Sequence, residues 1–397
     1  MIHFVYCPPW QNELAILKTA MRILHVIRDL STATGGPVTA VQGLASAEAA
    51  AGHKVALLAT DYGLPDELFI EGVELKIFPC TLAGWRYSRE LAEALPEVVR
   101  TSDIVHIHTI WEHPAWVAAR VCRKLGKPYI LRPCGMLDSW SLSQSAWRKW
   151  LYLRLLAGSV IRNAAALHFT SEEELKNSLK PGGGVREFVV PNGLPPTAFE
   201  GLPGSEAFWF RYPELDGKRL LLFLGRLHYK KQPDVAIRAF RKVCDRDARL
   251  ALVLAGPAEP EYLTRLRALV AELKLTERVF FTGLLQGAAV REAYCAAELF
   301  VLPSLQENFG IAVAEAMAAG CPVVVSEQVN LATTIRETGA GLVCKSDVDS
   351  LAAAMEKLLA DDSLRKQMGS HGRATAKRDF SWSNVAERLL KEYDGLR

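Results

Sequence analysis

Paired cysteines, long apolar runs and a strong charge bias are all missing from this chain, and each absence removes a class of protein. Its eight cysteines stand singly, as at Cys80, Cys134, Cys244 and Cys321, with no C-x-x-C pair. That pattern fits reduced, mostly buried thiols in a cytosol and argues against a disulfide framework or a zinc site. No apolar run reaches the roughly 18 residues needed to cross a bilayer. Residues 1–20, MIHFVYCPPWQNELAILKTA, lack a basic stretch followed by an apolar core, so no secretory signal is expected there. They read as an extension, or a misassigned start, ahead of a strand that begins at Met21. The net charge of +3 is too small and too scattered to demand nucleic acid as a partner. There is no short-period repeat and no low-complexity tract.

What remains is a chain of 397 residues, 50% apolar and 23% charged, an ordinary composition for a globular enzyme. It is too long for one core and suggests two domains of about 150–200 residues each. Met21–Ile27, Lys54–Thr60, Val73–Phe78, Ile104–His108, Tyr129–Arg132 and Ala166–Thr170 are apolar strand candidates with helical patterns between them. Prolines and glycines crowd 191–217 and mark a linker. The alternation then restarts, with strands expected at Arg219–Gly225, Arg249–Gly256, Val279–Gly283, Leu299–Pro303 and Pro322–Ser326. Near-continuously apolar strands alternating with helices imply two doubly wound parallel sheets, whose ligands bind at the carboxyl ends of the strands.

The densest chemistry lies in 303–322, PSLQENFGIAVAEAMAAGCP, where Glu307 and Glu315 stand eight positions apart. Between them Phe309-Gly310 opens an alanine-rich helical stretch. Glycine at a helix N-terminus lets backbone N–H groups approach an anion, and the helix dipole adds roughly half a positive charge there. The segment reads as a cradle for a phosphate flanked by hydroxyls. Gly225-Arg-Leu-His-Tyr-Lys-Lys231 puts Arg226 and Lys231 in a loop at a strand's carboxyl end, where they would neutralise a diphosphate. Glu315 sits in an apolar helix and needs a partner if buried.

These residues carry a resemblance. GRLHYKK, ENFGIAVAE, EAMAAGCPVV and FSWSNVAERLLKEY resemble the nucleotide-sugar half of family 4 glycosyltransferases. GGPVTAVQGLA, DIVHIHTIW and PCGMLDSWSL resemble the acceptor half of members that build surface polysaccharides and exopolysaccharide. The resemblance covers nearly the whole chain from Met21. It implies an α/β fold of the GT-B type, two Rossmann-like domains facing across a cleft, and sugar transfer with retention of configuration. Residues 1–200 would form the acceptor-binding domain and 201–380 the nucleotide-sugar domain, with 381–397 packing back on the first.

The resemblance also implies roles. Glu315 would hold the ribose hydroxyls and Glu307 those of the donor sugar. Asn308 and the backbone amides at Phe309, Gly310 and Ile311 would meet the donor's diphosphate and sugar. Arg226 and Lys231 would neutralise the leaving diphosphate. Gly35 and Gly36 would close over that phosphate from the facing half, His108 would sit beside the donor sugar, and Gly283 would shape the base pocket. His108 has a rival in His106, since residues i and i+2 of a strand share a face. Two positions depart from the family pattern: Gln232 replaces a glycine after the lysine, and Cys134 replaces a histidine.

The expected reaction moves a hexosyl group from a UDP- or GDP-linked donor to a glycan or lipid-linked acceptor by front-face displacement. The two glutamates are not arranged as a glycosidase pair, and leaving-group stabilisation is the main electrostatic term. No D-x-D-like motif stands in a site position, so no metal and no cofactor are expected. The alternatives are another GT-B enzyme, such as a sugar-nucleotide epimerase or phosphorylase, and a non-catalytic nucleotide-sugar-binding protein. Residues 144–162 carry Arg148, Lys149, Arg154 and Arg162 with Trp147, Trp150 and Tyr152 and no acid. Such a helix either lies on an anionic membrane or packs its aromatics inward. The expected location is cytoplasmic, peripheral at the inner face of the membrane.

Overall fold

The structure, a computed structural model, describes residues 20–31, 35–65, 68–179 and 184–397. The extension expected at the N-terminus lies outside the described residues up to residue 19. Seven strands, β1 (Arg22–Asp29), β2 (Lys54–Thr60), β3 (Val73–Phe78), β4 (Ile104–His108), β5 (Tyr129–Arg132), β6 (Ala166–Phe169) and β7 (Arg186–Val189), make the first sheet. Six more, β8 (Arg219–Leu224), β9 (Leu250–Ala255), β10 (Val279–Gly283), β11 (Ala297–Leu302), β12 (Val323–Ser326) and β13 (Gly341–Cys344), make the second.

The orders are β3-β2-β1-β4-β5-β6-β7 and β10-β9-β8-β11-β12-β13, and the pairings are parallel. The central strands are buried on both faces, β4 and β9 at every residue. That burial explains why they read as unbroken apolar runs. Strand order reverses between β1 and β4 in one sheet and between β8 and β11 in the other. Each reversal leaves a crevice at the carboxyl edge, where a ligand can enter.

Two strands escape the sequence reading. β7 and β13 have four residues each and are only partly buried, so neither shows a long apolar run or clean alternation. The expected linker is more structured than its prolines and glycines suggest. Leu194 bridges to Ser381, and Phe208 on the short helix Glu206–Arg211 is buried in the second core.

The last helix, Trp382–Asp394, returns to the first sheet. Its Val385, Leu389, Leu390 and Tyr393 belong to the core on one face of that sheet. The Trp382 ring lies against both Gly43 and Gly193, where a methyl group would occupy the ring's own volume. Glycine is needed at both positions for that close approach. Deeper in, the Tyr393 hydroxyl donates to Glu48 Oε1 at 3.0 Å and lies 2.8 Å from His106 Nδ1. Among the described residues no helix is long and apolar enough to cross a membrane.

Tyr393→Phe keeps the apolar packing but strips a buried carboxylate and a buried imidazole of one partner. A loss of about 1–3 kcal/mol is expected, read as a lower midpoint in urea or thermal unfolding.

Candidate functional site

The loop after β8 is shaped by a close backbone approach. The Gly225 carbonyl sits where a side chain at Gly256 would have to be, and Gly256 itself has φ 142°. The loop then turns through Tyr229–Lys231 and ends at Gln232, which has φ 53° and ψ 50°. This is the left-handed region that glycine enters without strain. Gln232 adopts it as well, its side-chain oxygen accepting a hydrogen bond from Ser346 Oγ. The departure from glycine therefore leaves Lys231 in the cleft.

Lys231 Nζ meets Glu307 Oε2 at 2.5 Å. The backbone of Glu307 is pinned on both sides, its N–H donating to Gln328 O at 3.1 Å and its carbonyl accepting from Asn330 N at 3.0 Å. Gly310, at φ 83°, turns the chain into the helix Ile311–Ala318. The cradle read from the sequence is thus a physical corner: an ion pair, a left-handed glycine and a helix start.

A cavity of about 310 Å³ opens over this corner. Lys231, Glu307, Asn308, Phe309, Gly310 and Ile311 line it from the second unit, and Gly36, Pro37, Arg132, Cys134 and Asn192 from the first. The two units touch across it. Asn308 packs on Gly135 where a Cβ would clash, and its Nδ2 reaches Thr170 Oγ1 at 3.5 Å. Gly36 faces Ile311.

Not every candidate gathers here. Gly35, at φ 74°, is the residue that caps the start of the helix Gly36–Ala50. Arg226 is exposed and is not among the lining residues of the cavity. Gly283 closes β10, its carbonyl accepting from Gly256 N at 2.7 Å. Glu315 lines a second cavity of about 220 Å³ with Tyr294, Arg291 and Gly287. The Tyr294 hydroxyl lies 3.0 Å from Glu315 Oε2. Burial raises the Glu315 carboxyl to about 7, and the Tyr294 hydrogen bond only partly opposes this.

His108 and its rival His106 are both buried. They belong to a chain of hydrogen bonds beneath the cleft. His108 Nε2 is 2.9 Å from His25 Nδ1, and His25 Nε2 is 2.6 Å from Glu48. His106 Nε2 is 3.3 Å from His168 Nδ1, and His168 Nε2 donates to the Val190 carbonyl at 2.7 Å. Burial first, and then neighbouring charge, holds His106, His108 and His168 well below the ordinary imidazole range. His25, His106 and His108 each bring a ring nitrogen within 4.8 Å of the others, a spacing that could hold a metal ion. Their nitrogens are instead largely spent on one another, Glu48 and Tyr393.

Arg132 and Asn192 were not singled out by sequence. The signal was present: a charged residue ends the apolar run Tyr129–Arg132 at the strand edge where sites form. The same signal marks Asp29 at the end of β1, which accepts from Arg86 Nε at 2.7 Å.

Residues 35–193 match the "Glycosyl transferase 4-like domain" model and residues 205–375 the "Glycosyl transferases group 1" model. A D-inositol 3-phosphate glycosyltransferase of Stackebrandtia nassauensis is 30% identical over 309 residues, covering 73% of this chain and 68% of that protein. This chain belongs to the family 4-like GT-B glycosyltransferases. An uncharacterized glycosyltransferase of Methanocaldococcus jannaschii is 28% identical over 386 residues, covering 90% of this glycosyltransferase and 94% of the relative. Among solved structures, Anabaena HepE in complex with UDP and glucose has a TM-score of 0.77 at 17% identity, covering 94% of this chain and 100% of that one.

Because folding raises the Glu315 carboxyl from its ordinary 4.5 to about 7, its protonated form is favoured in the native state. Its contribution is present at low pH and is lost as pH rises from about 4.5 through 7, on the order of 3 kcal/mol in all. Glu315→Gln should therefore melt above the wild type at pH 8, with the gap closing toward pH 5. Parallel melting curves across that range check it.

Proposed function

We propose that this glycosyltransferase is retaining and moves a hexosyl group from a nucleoside-diphosphate sugar, UDP- or GDP-linked, to a glycan or lipid-linked acceptor in polysaccharide biosynthesis. The observation that carries the reading is the shared cavity. Lys231, Glu307 and the start of the helix Ile311–Ala318 face Gly36 of the other unit across a space of about 310 Å³. In this reading the donor diphosphate lies against Lys231 and the amides after Gly310, where the helix end favours anions. Arg226, exposed in the loop that carries Lys231, adds a second charge as the diphosphate departs.

Glu307 in this reading trades its ion pair with Lys231 for the donor's sugar hydroxyls once the phosphate supplies Lys231 with a better partner. Glu315, in the adjoining cavity with Tyr294, takes the ribose. His108 lies beneath the sugar's reacting face, and Gly35 and Gly283 shape the phosphate and base ends. The departing phosphate accepts the acceptor's proton, so no protein carboxylate acts as nucleophile. Cationic side chains and helix amides do the work that a metal does elsewhere, and no metal or cofactor is required. The UDP in the HepE complex supports a uridine donor of the two considered.

The acceptor half presents an unusual surface. Trp147, Trp150 and Leu155 are 68%, 60% and 66% exposed, and Arg148 and Arg154 lie over the two tryptophan rings. The aromatics at 147 and 150 thus point outward instead of packing inward. Basic and aromatic groups together, without an acid, suit an anionic bilayer, and a lipid-linked acceptor would be met there.

Turnover with UDP- and GDP-hexoses tests the reaction, with product analysis: free nucleoside diphosphate and a new α- or β-glycoside matching the donor's configuration is expected. An epimerised donor, or binding without turnover, would overturn it. Lys231→Ala should lower kcat by about 100-fold, the usual effect of removing one charge-stabilising donor, and EDTA should leave the wild-type rate unchanged. Cosedimentation with vesicles rich in anionic lipid checks the surface reading. The wild type should bind in low salt, and Trp147→Ala with Trp150→Ala should abolish binding without altering turnover of a water-soluble acceptor.

A further inference from the structure

The geometry points to Arg132 as a further anion-binding residue of the cleft, contributed by the acceptor half and taking a phosphoryl oxyanion of the ligand between the two sheets. This rests on the cavity being the donor site.

Arg132 ends β5 and is only 3% exposed, yet it lines the cavity shared with Lys231 and Glu307. A guanidinium buried to that degree is costly unless its charge is met. Among the described residues no carboxylate lies within ion-pair distance of it. One amino group donates to Asn192 Oδ1, a neutral partner, and its Nε has no partner.

The nearby groups cannot supply the missing charge. Glu174, an acid on which its charge acts, is committed elsewhere: its two oxygens accept from Gly135 N at 2.5 Å, Thr170 N at 2.7 Å and Thr170 Oγ1 at 2.6 Å. Glu48 is committed to His25 and Tyr393. The Arg132 charge also acts on His106, His108, His168 and the thiol of Cys134, none of which carries a negative charge to match it.

Asn192 lines the same cavity and fixes one arm of the fork. The guanidinium thus keeps donor capacity unspent, its buried Nε included, that a planar or tetrahedral oxyanion in the cavity would draw on. Lys231 faces the same small volume from the other unit, so one bridging anion would be met by a cation from each half. Such an arrangement ties leaving-group stabilisation to the approach of the two units, because neither half alone holds both charges.

The test uses Arg132→Met and Arg132→Lys in the full chain, with UDP, GDP and inorganic pyrophosphate as probes in titration calorimetry. Arg132→Met should weaken pyrophosphate and the preferred nucleotide by at least about tenfold, leave the unphosphorylated nucleoside unaffected, and leave the ligand-free melting temperature equal to or above that of the wild type. Arg132→Lys should recover part of the affinity. Unchanged affinity for the phosphorylated probes in Arg132→Met, or a large fall in ligand-free melting temperature with affinity retained, overturns the assignment in favour of a structural arginine. Pyrophosphate that does not bind the wild type also overturns it. If the wild type binds pyrophosphate but neither nucleotide, the proposed donor fails while the arginine comparison still stands on pyrophosphate.

Discussion

A parallel strand covered by helices on both faces has no solvent side, so its polar chemistry is pushed to its ends. That constraint organises this protein. The second sheet obeys it strictly: β9 and the centre of β11 are wholly apolar and buried, while Gly225, Lys231, Ser304 and Glu307 lie in the loops beyond the carboxyl edge. The first sheet breaks it, placing His25, His106 and His168 within strands. Buried polar rings are tolerable only when each finds partners, and here they find them in one another, in Glu48, in Tyr393 and in the Val190 carbonyl.

One consequence reaches across the molecule. Tyr393, which closes that network, belongs to the final helix, and the final helix follows the last elements of the second unit. The chain thus crosses between the units twice, once near Leu194 and once near Ser381, and the two crossings are hydrogen-bonded side by side. The contacts on the cleft side, Asn308 on Gly135 and Gly36 opposite Ile311, are small by comparison and are placed where a bound ligand would add to them.

The charges of the cleft follow the same logic. Lys231 is met internally by Glu307, whereas Arg132 is met only by a neutral amide. Among the described residues that line the cavity, the two cations come from opposite halves, one with a carboxylate partner and one without. Low solvent access makes that imbalance count for more than it would on a surface.

Much of this was legible in sequence, and the legible part shares a cause. Nine of the strands announce themselves because burial on both faces demands apolar runs; the edge strands β3 and β10 are long enough to read without it, and β7 and β13, edge strands of four residues, are not. Glu307, Gly310 and Lys231 could be read because a local motif fixes them: a left-handed glycine, a helix start and a basic loop after a strand. Arg132 could not be ranked, since what marks it is the want of a charged partner, and that is a property of three dimensions. The same holds for His108, whose neighbours His25 and His168 come from two other elements, and for Glu315, which the helix turns toward Tyr294 in a second cavity. The sequence by itself determined the two parallel sheets and the glycine-opened corner at the helix start, because periodicity and local backbone geometry act within a few residues. Only the tertiary structure decided which charges meet and which stay unmatched, because desolvation and ion pairing depend on groups brought together from far along the chain.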